Sequence, residues 1–128
     1  MPIYHGRCHC GTLTLRYNTA SEPASIQPRA CDCSYCTRQG GMYVSDPAGT
    51  LEVDAGCHQY RQGDERADFL SCPRCGVLLA VVFEDRGAVN ARCLERFEEL
   101  GPAQVVSPQK LSAEEKLARW QANWTPLK

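Results

Sequence analysis

Ser71-Cys72-Pro73-Arg74-Cys75-Gly76-Val77-Leu78-Leu79-Ala80-Val81-Val82-Phe83 joins a C-x-x-C turn to an unbroken apolar run. The proline fixes φ after the first thiol, and the glycine after the second tolerates a left-handed turn, so both sulfurs are aimed at one point in the manner of a zinc knuckle. Residues 77–83 show no polar alternation, which is the pattern of a strand covered on both faces. A thiol turn feeding a buried strand predicts an all-β, or mainly β, chain held together by metal.

One C-x-x-C half-site needs a partner, and working outward the chain offers Cys8-His9-Cys10. These residues precede Thr12-Leu13-Thr14-Leu15-Arg16-Tyr17, where apolar and polar side chains alternate as in a half-buried strand. Cys8, Cys10, Cys72 and Cys75 are therefore expected to close a four-thiolate zinc site, with redox or unrelated thiols as the alternatives. The entropy of closing so long a loop grows only logarithmically, while structural zinc supplies on the order of 10 kcal/mol. Its role would be folding.

A second cluster, Cys31-Asp32-Cys33-Ser34-Tyr35-Cys36, has three thiols at the spacing C-x-C-x-x-C. In an extended segment Cys31 and Cys33 share a face, and a following turn can bring Cys36 round to meet them. Structural zinc sites close with four protein ligands, whereas catalytic sites tend to offer three and leave room for water or substrate. A fourth ligand could come from Cys57, His58 or Cys93, and three unrelated buried thiols are the bland alternative. Gly40-Gly41 beyond the trio permits positive φ and close approach of a ligand to the backbone.

The remaining segments read as short strands between turns. Residues 18–30 are a Ser/Pro-rich surface connection with a short strand running into Cys31. Strands are predicted over 42–45 and 50–53 around the turn Asp46-Pro47-Ala48-Gly49, over 57–61, and last over 88–94, with Val89, Ala91 and Cys93 on one face. Residues 95–108 read as a polar surface stretch. Ser112-Ala113-Glu114-Glu115 is a capping box, so a short helix runs to Trp124, with Leu117, Trp120 and Trp124 docking on the sheet.

At 128 residues the chain is expected to form a single zinc-binding domain, 1–128, with its core over about 5–95 and a divergent tail over 96–128. A net charge of −1 offers no electrostatic footprint for nucleic acid or an anionic membrane, and no apolar run approaches the roughly 20 residues of a span. Nine cysteines invite a secreted disulfide framework, but the number is odd, the close pairs are C-x-C and C-x-x-C, and Met1-Pro2-Ile3-Tyr4-His5 has no signal-peptide core. A reducing cytoplasm is the expected location.

With these pieces placed, the chain resembles the glutathione-dependent formaldehyde-activating enzyme family, also described as the centromere-protein-V-like domain. The match runs through Gly6-x-Cys8-His9-Cys10-Gly11, Cys31-Asp32-Cys33-Ser34-x-Cys36, Cys72-x-x-Cys75-Gly76-Val77 and Asn90-Ala91-Arg92-Cys93-Leu94-Glu95. The resemblance implies a zinc-binding β-tent, or Mss4-like, fold. It implies that Cys8, Cys10, Cys72 and Cys75 hold a structural zinc and Cys31, Cys33 and Cys36 a catalytic one. The activity it implies is condensation of glutathione with formaldehyde, a carbon–sulfur lyase reaction in reverse.

In that reading the partners are a small-molecule thiol and an aldehyde, and zinc on the trio activates the thiol as thiolate. A carboxylate-bearing thiol needs cations: Arg38 is the first candidate for binding it, with Arg7, Arg61 and Arg92 behind. Asp32 and Tyr35 adjoin the trio, but the sequence does not fix where they point. Two other readings stand beside the enzyme: a zinc-stabilised binding module in which both metals are structural, and a redox or metal-buffering thiol cluster.

Overall fold

A computed structural model describes residues 2–128. In chain order it contains β1 (Ile3–Arg7), β2 (Thr14–Asn18), β3 (Arg29–Cys31), a short helix α1 (Ser34–Gln39), β4 (Met42–Val44), β5 (Thr50–Val53) and β6 (His58–Tyr60). Then follow β7 (Asp68–Ser71), β8 (Leu78–Phe83), β9 (Arg86–Asn90), β10 (Gln104–Val106), helix α2 (Ala113–Asn123) and β11 (Thr125–Pro126). The chain is mainly β.

The strands form two sheets. β1, β2 and β5 make a small antiparallel one, and the larger runs β10-β3-β4-β9-β8-β7-β6, with β11 beside β9. β10 lies parallel to β3, whereas β4, β9, β8 and β7 pair antiparallel. Leu15, Tyr17 and Leu51 from the small sheet meet Val44, Leu79 and Val89 from the large one in the main core. The opposite face of the large sheet carries a second apolar cluster with Phe69, Leu78, Val81 and Ala88, closed over by Trp124.

β8 is covered on both faces, as the apolar run predicts: Leu78, Leu79, Ala80 and Val81 are all buried. Simple alternation would put Leu78 and Val81 on opposite faces. A register shift between Leu70 and Ser71 of β7 sets Ser71 against Leu78 and Leu70 against Ala80. Leu79 is thus the extra residue of a bulge, and the bulge lets Leu78, Val81 and Phe83 reach the same cluster.

Helix α2 begins where the capping box places it. Ser112 Oγ accepts from Glu115 N at 3.1 Å, while Glu115 Oε1 accepts from Ser112 N at 3.0 Å. Trp120 stacks on Trp124 with centroids 4.8 Å apart and touches Phe83 at 5.5 Å, so the helix docks on the sheet. No helix among the described residues is long and apolar enough to cross a membrane.

Several elements differ from the expectation. β1 precedes the first thiol turn unannounced, because one of its two buried positions is Gly6, which contributes no apolar signal. Glycine is required there: a Cβ would lie 2.9 Å from Cys93 O, where the chain around residue 94 bridges to β1. The strand predicted over 88–94 stops at Asn90 and turns into a 3₁₀ segment, Ala91–Cys93, with the Asn90 side chain accepting from Arg92 N, and β10 and β11 follow it. Finally, α1 replaces the plain turn expected after Cys33.

Candidate metal centres

Cys8 and Cys10 stand in the turn between β1 and β2, and Cys72 and Cys75 in the turn between β7 and β8. The two turns share a hydrogen-bond pattern. Cys8 N donates to Leu13 O and Cys72 N to Val77 O, each at 3.0 Å, and the first sulfur of each accepts a backbone N–H, from Leu13 at 3.4 Å and from Cys75 at 3.5 Å. Gly76 takes the left-handed φ of 80° that its place after the second thiol demands. Together the turns bring four sulfurs within 4.8 Å of one another.

Cys10 lies 3.6 Å from Cys8 and 3.7 Å from Cys72, sulfur to sulfur. The Thr12 hydroxyl, 3.1 Å away, and the Thr12 backbone pull the Cys10 thiol down to about 6. All nine cysteines carry free thiols. Four converging thiols, one readily ionised and two already accepting N–H bonds, make a donor set suited to a soft cation. Cys8 and Cys72 are each 1% exposed, while Cys10 and Cys75 are half-buried.

The second cluster is local. Cys31 ends β3, Cys33 caps α1 and Cys36 lies one turn inside it. Cys33 Sγ accepts from Cys36 N at 3.3 Å, the bond a Ser or Asp oxygen would make at a helix start. The three sulfurs lie within 4.8 Å of one another. The Cys36 thiol beside it pulls Cys31 down to about 6, while the same contact and burial push Cys36 up, so Cys31 is the more readily ionised of the two. Tyr43 Oη stands 3.0 Å from Cys36 Sγ, and burial holds the phenol in its neutral form.

No other Cys, His, Asp or Glu among the described residues joins this trio. Cys93 is elsewhere: its thiol donates to Leu78 O at 3.1 Å and is pushed up to about 12 by burial. Cys57 donates to Asp54 O at 3.6 Å. His58 lies on the edge strand β6, opposite Ser71, and lines a separate shallow pocket with Tyr35 and Tyr60. None of the three candidate fourth ligands reaches the trio.

Instead the trio opens on a cavity of about 620 Å³. Tyr43, Phe69, Val81, Ala88, Trp120 and Trp124 supply its apolar lining. Helix α2 forms one wall with Lys116, Arg119, Trp120 and Asn123, a stripe at i, i+3, i+4 and i+7. Lys116 Nζ pairs with Asp64 Oδ2 at 2.9 Å, joining that wall to the loop between β6 and β7.

The residues beside the trio find definite directions. Asp32 accepts from Ser107 Oγ at 2.9 Å and Gln109 Nε2 at 2.7 Å, and its N–H donates to Val106 O, so it ties the loop to β10. Those side-chain bonds, Gln109 first, hold its carboxyl below the usual carboxylate range. Tyr35 packs against Phe69 and Tyr60 at 4.6 and 5.3 Å.

Arg38 folds back to donate to Ser34 O at 2.8 Å and does not line the cavity. Arg7 lies beside Gly11, Arg61 pairs with Asp68, and Arg92 donates to Gly40 O over the Phe97 ring. The cations that line the cavity are Arg29, Arg66, Lys116 and Arg119. Of these, the α2 pair is foreshadowed by the helical spacing of residues 116, 119, 120 and 123, a signal masked by the apolar Leu117, Trp120 and Trp124 on the same helix.

No protein-family model and no curated protein matches the chain. A crystal structure of a Rhodobacter sphaeroides protein resembles it with a TM-score of 0.57, over 78% of this chain and 99% of that one, at 24% sequence identity. The likeness is one of fold.

Proposed function

We propose that the chain is a zinc protein of the β-tent type whose trio, Cys31, Cys33 and Cys36, binds a small thiol and adds it to a small aldehyde. The observation that carries the reading is the pairing of three converging thiols, unjoined by a fourth residue, with a cavity of about 620 Å³ large enough for a tripeptide-sized ligand. Zinc held by the trio would supply one thing, a lowered pKa for a thiol placed beside it.

The protein's own groups do the rest. Cys31, Cys33 and Cys36 would hold the metal, and the N–H bond from Cys36 fixes the Cys33 sulfur. Tyr43, whose hydroxyl reaches the Cys36 sulfur, is placed to donate to an oxygen that gains negative charge. Phe69, Trp120 and Trp124 keep that end of the cavity dry. In the reaction a sulfur–carbon bond forms, the carbonyl π bond breaks, and the proton lost by the thiol ends on the carbonyl oxygen; nothing is oxidised. Glutathione and formaldehyde are the pair suggested by the sequence resemblance, and the cytoplasm is the compartment proposed for it.

A second reading, a binding module with two structural metals, draws on the like N–H to sulfur bonds in the two clusters, at 3.3 Å in the trio and 3.5 Å in the knuckle. One experiment separates the two. Protein purified anaerobically is assayed for zinc content and for consumption of formaldehyde with and without glutathione. Two zincs and glutathione-dependent loss of aldehyde are expected; two zincs without thiol binding or turnover would replace the enzyme by the module.

A further inference from the structure

Four cations and two carboxylates line the cavity: Arg29, Arg66, Lys116 and Arg119 against Asp64 and Glu65. Lys116 is taken by Asp64 and Arg66 forms no ion pair among the described residues, so the unpaired cations are Arg66 together with Arg29 and Arg119. Arg29 is partly buried, its one side-chain partner is the neutral Ser45 Oγ at 2.8 Å, and Arg119 is close enough to act on it electrostatically. Like charges held together at a partly buried wall cost stability unless an anion lies between them.

Their position matters as much as their charge. Arg29 is two residues before Cys31 on β3, so the two side chains leave the same face of the strand, with Cα atoms about 7 Å apart. Arg119 faces the same cavity from α2. We propose that Arg29 and Arg119 form an anion-recognition pair that sets the ligand preference of the cavity, gripping a carboxylate of the bound molecule while its sulfur rests at the trio. The sulfur half of this statement rests on the function proposed above; the anion half stands on the two arginines alone. Arg38, outside the cavity, takes no part.

The test uses the zinc-loaded chain and calorimetric titration. 3-Mercaptopropionate is compared with 3-mercaptopropanol, which differs in one charge, and glutarate serves as an acid without a thiol. Native protein is expected to bind the acidic thiol about tenfold more tightly than the neutral one, to bind glutarate, and to lose both properties in Arg119→Gln. Arg119 is exposed, so that variant keeps the fold; Arg29→Lys keeps the buried charge and should retain part of the preference, while Arg16→Gln, on the far sheet, should change nothing.

Equal binding of the two thiols, or a preference unchanged in Arg119→Gln, overturns the proposal. If glutarate binds in an Arg119-dependent way and neither thiol binds better than its thiol-free analogue, the anion pair stands and the thiol function falls. If glutarate fails to bind while both thiols bind alike, the thiol function stands and the anion pair falls.

Discussion

Cys72 and Cys33 each accept a backbone N–H from the residue three further on, yet they do different work. The Cys72 sulfur sits where a turn of one sheet meets a turn of the other, so its cluster closes a loop from residue 8 to residue 75. The Cys33 sulfur belongs to a cluster drawn from six consecutive residues, and a metal there closes almost no loop. The same local device joins turns of two sheets in one place and lines a cavity in the other. What separates the two is the reach of the ligands along the chain and the number of them, four against three.

The largest test of that contrast is to remove one ligand from each side. Structural zinc contributes on the order of 10 kcal/mol, comparable with the whole stability of an ordinary domain, about 5–15 kcal/mol. Cys72→Ser should therefore abolish the cooperative melt followed by circular dichroism; a midpoint within a few degrees of the native one would break the comparison. Cys33→Ala should melt cooperatively, with one zinc equivalent gone and aldehyde consumption lowered more than the roughly 100-fold that loss of an outer-shell partner can cause.

Smaller effects sharpen it. A chromogenic chelator should draw zinc in two phases, with the three-ligand trio releasing first, about tenfold faster than the four-ligand cluster; one phase would erase the distinction. Tyr43→Phe should keep both zincs and slow turnover about tenfold, the worth of one hydrogen bond. Ser112→Ala removes the cap of α2, which walls the trio's cavity and touches neither cluster. It should cost about 1 kcal/mol, lower the melting point by about 4 °C and leave the zinc content intact.

Much of the frame was legible because its signals are local. The alternation around Leu13, Leu15 and Tyr17, the apolar run of β8 and the Ser112–Glu115 box each need only a few neighbouring residues, and both thiol clusters carry their spacing in the sequence. β1 was hidden by Gly6, and β10 by its exposure, with Val105 70% exposed. Helix α1 was hidden by its length: six residues show no apolar period, and its cap is a thiol, which sequence rules do not count among capping groups. The cavity was illegible for another reason. Arg29 and Arg119 lie on β3 and α2, and only the tertiary fold brings them to one wall.

Asp32 has a consequence for how the molecule comes into being. A ribosome delivers the chain from its first residue onward, and the four-thiol cluster has every ligand in hand once Cys75 has emerged. The three thiols are all made much earlier, but the loop that carries them is moored through Asp32 to Val106, Ser107 and Gln109. The four-thiol cluster is therefore complete first, and the cavity-facing thiols take their final arrangement only near the end of synthesis. During that interval they depend on the reducing power of their surroundings to stay as thiols.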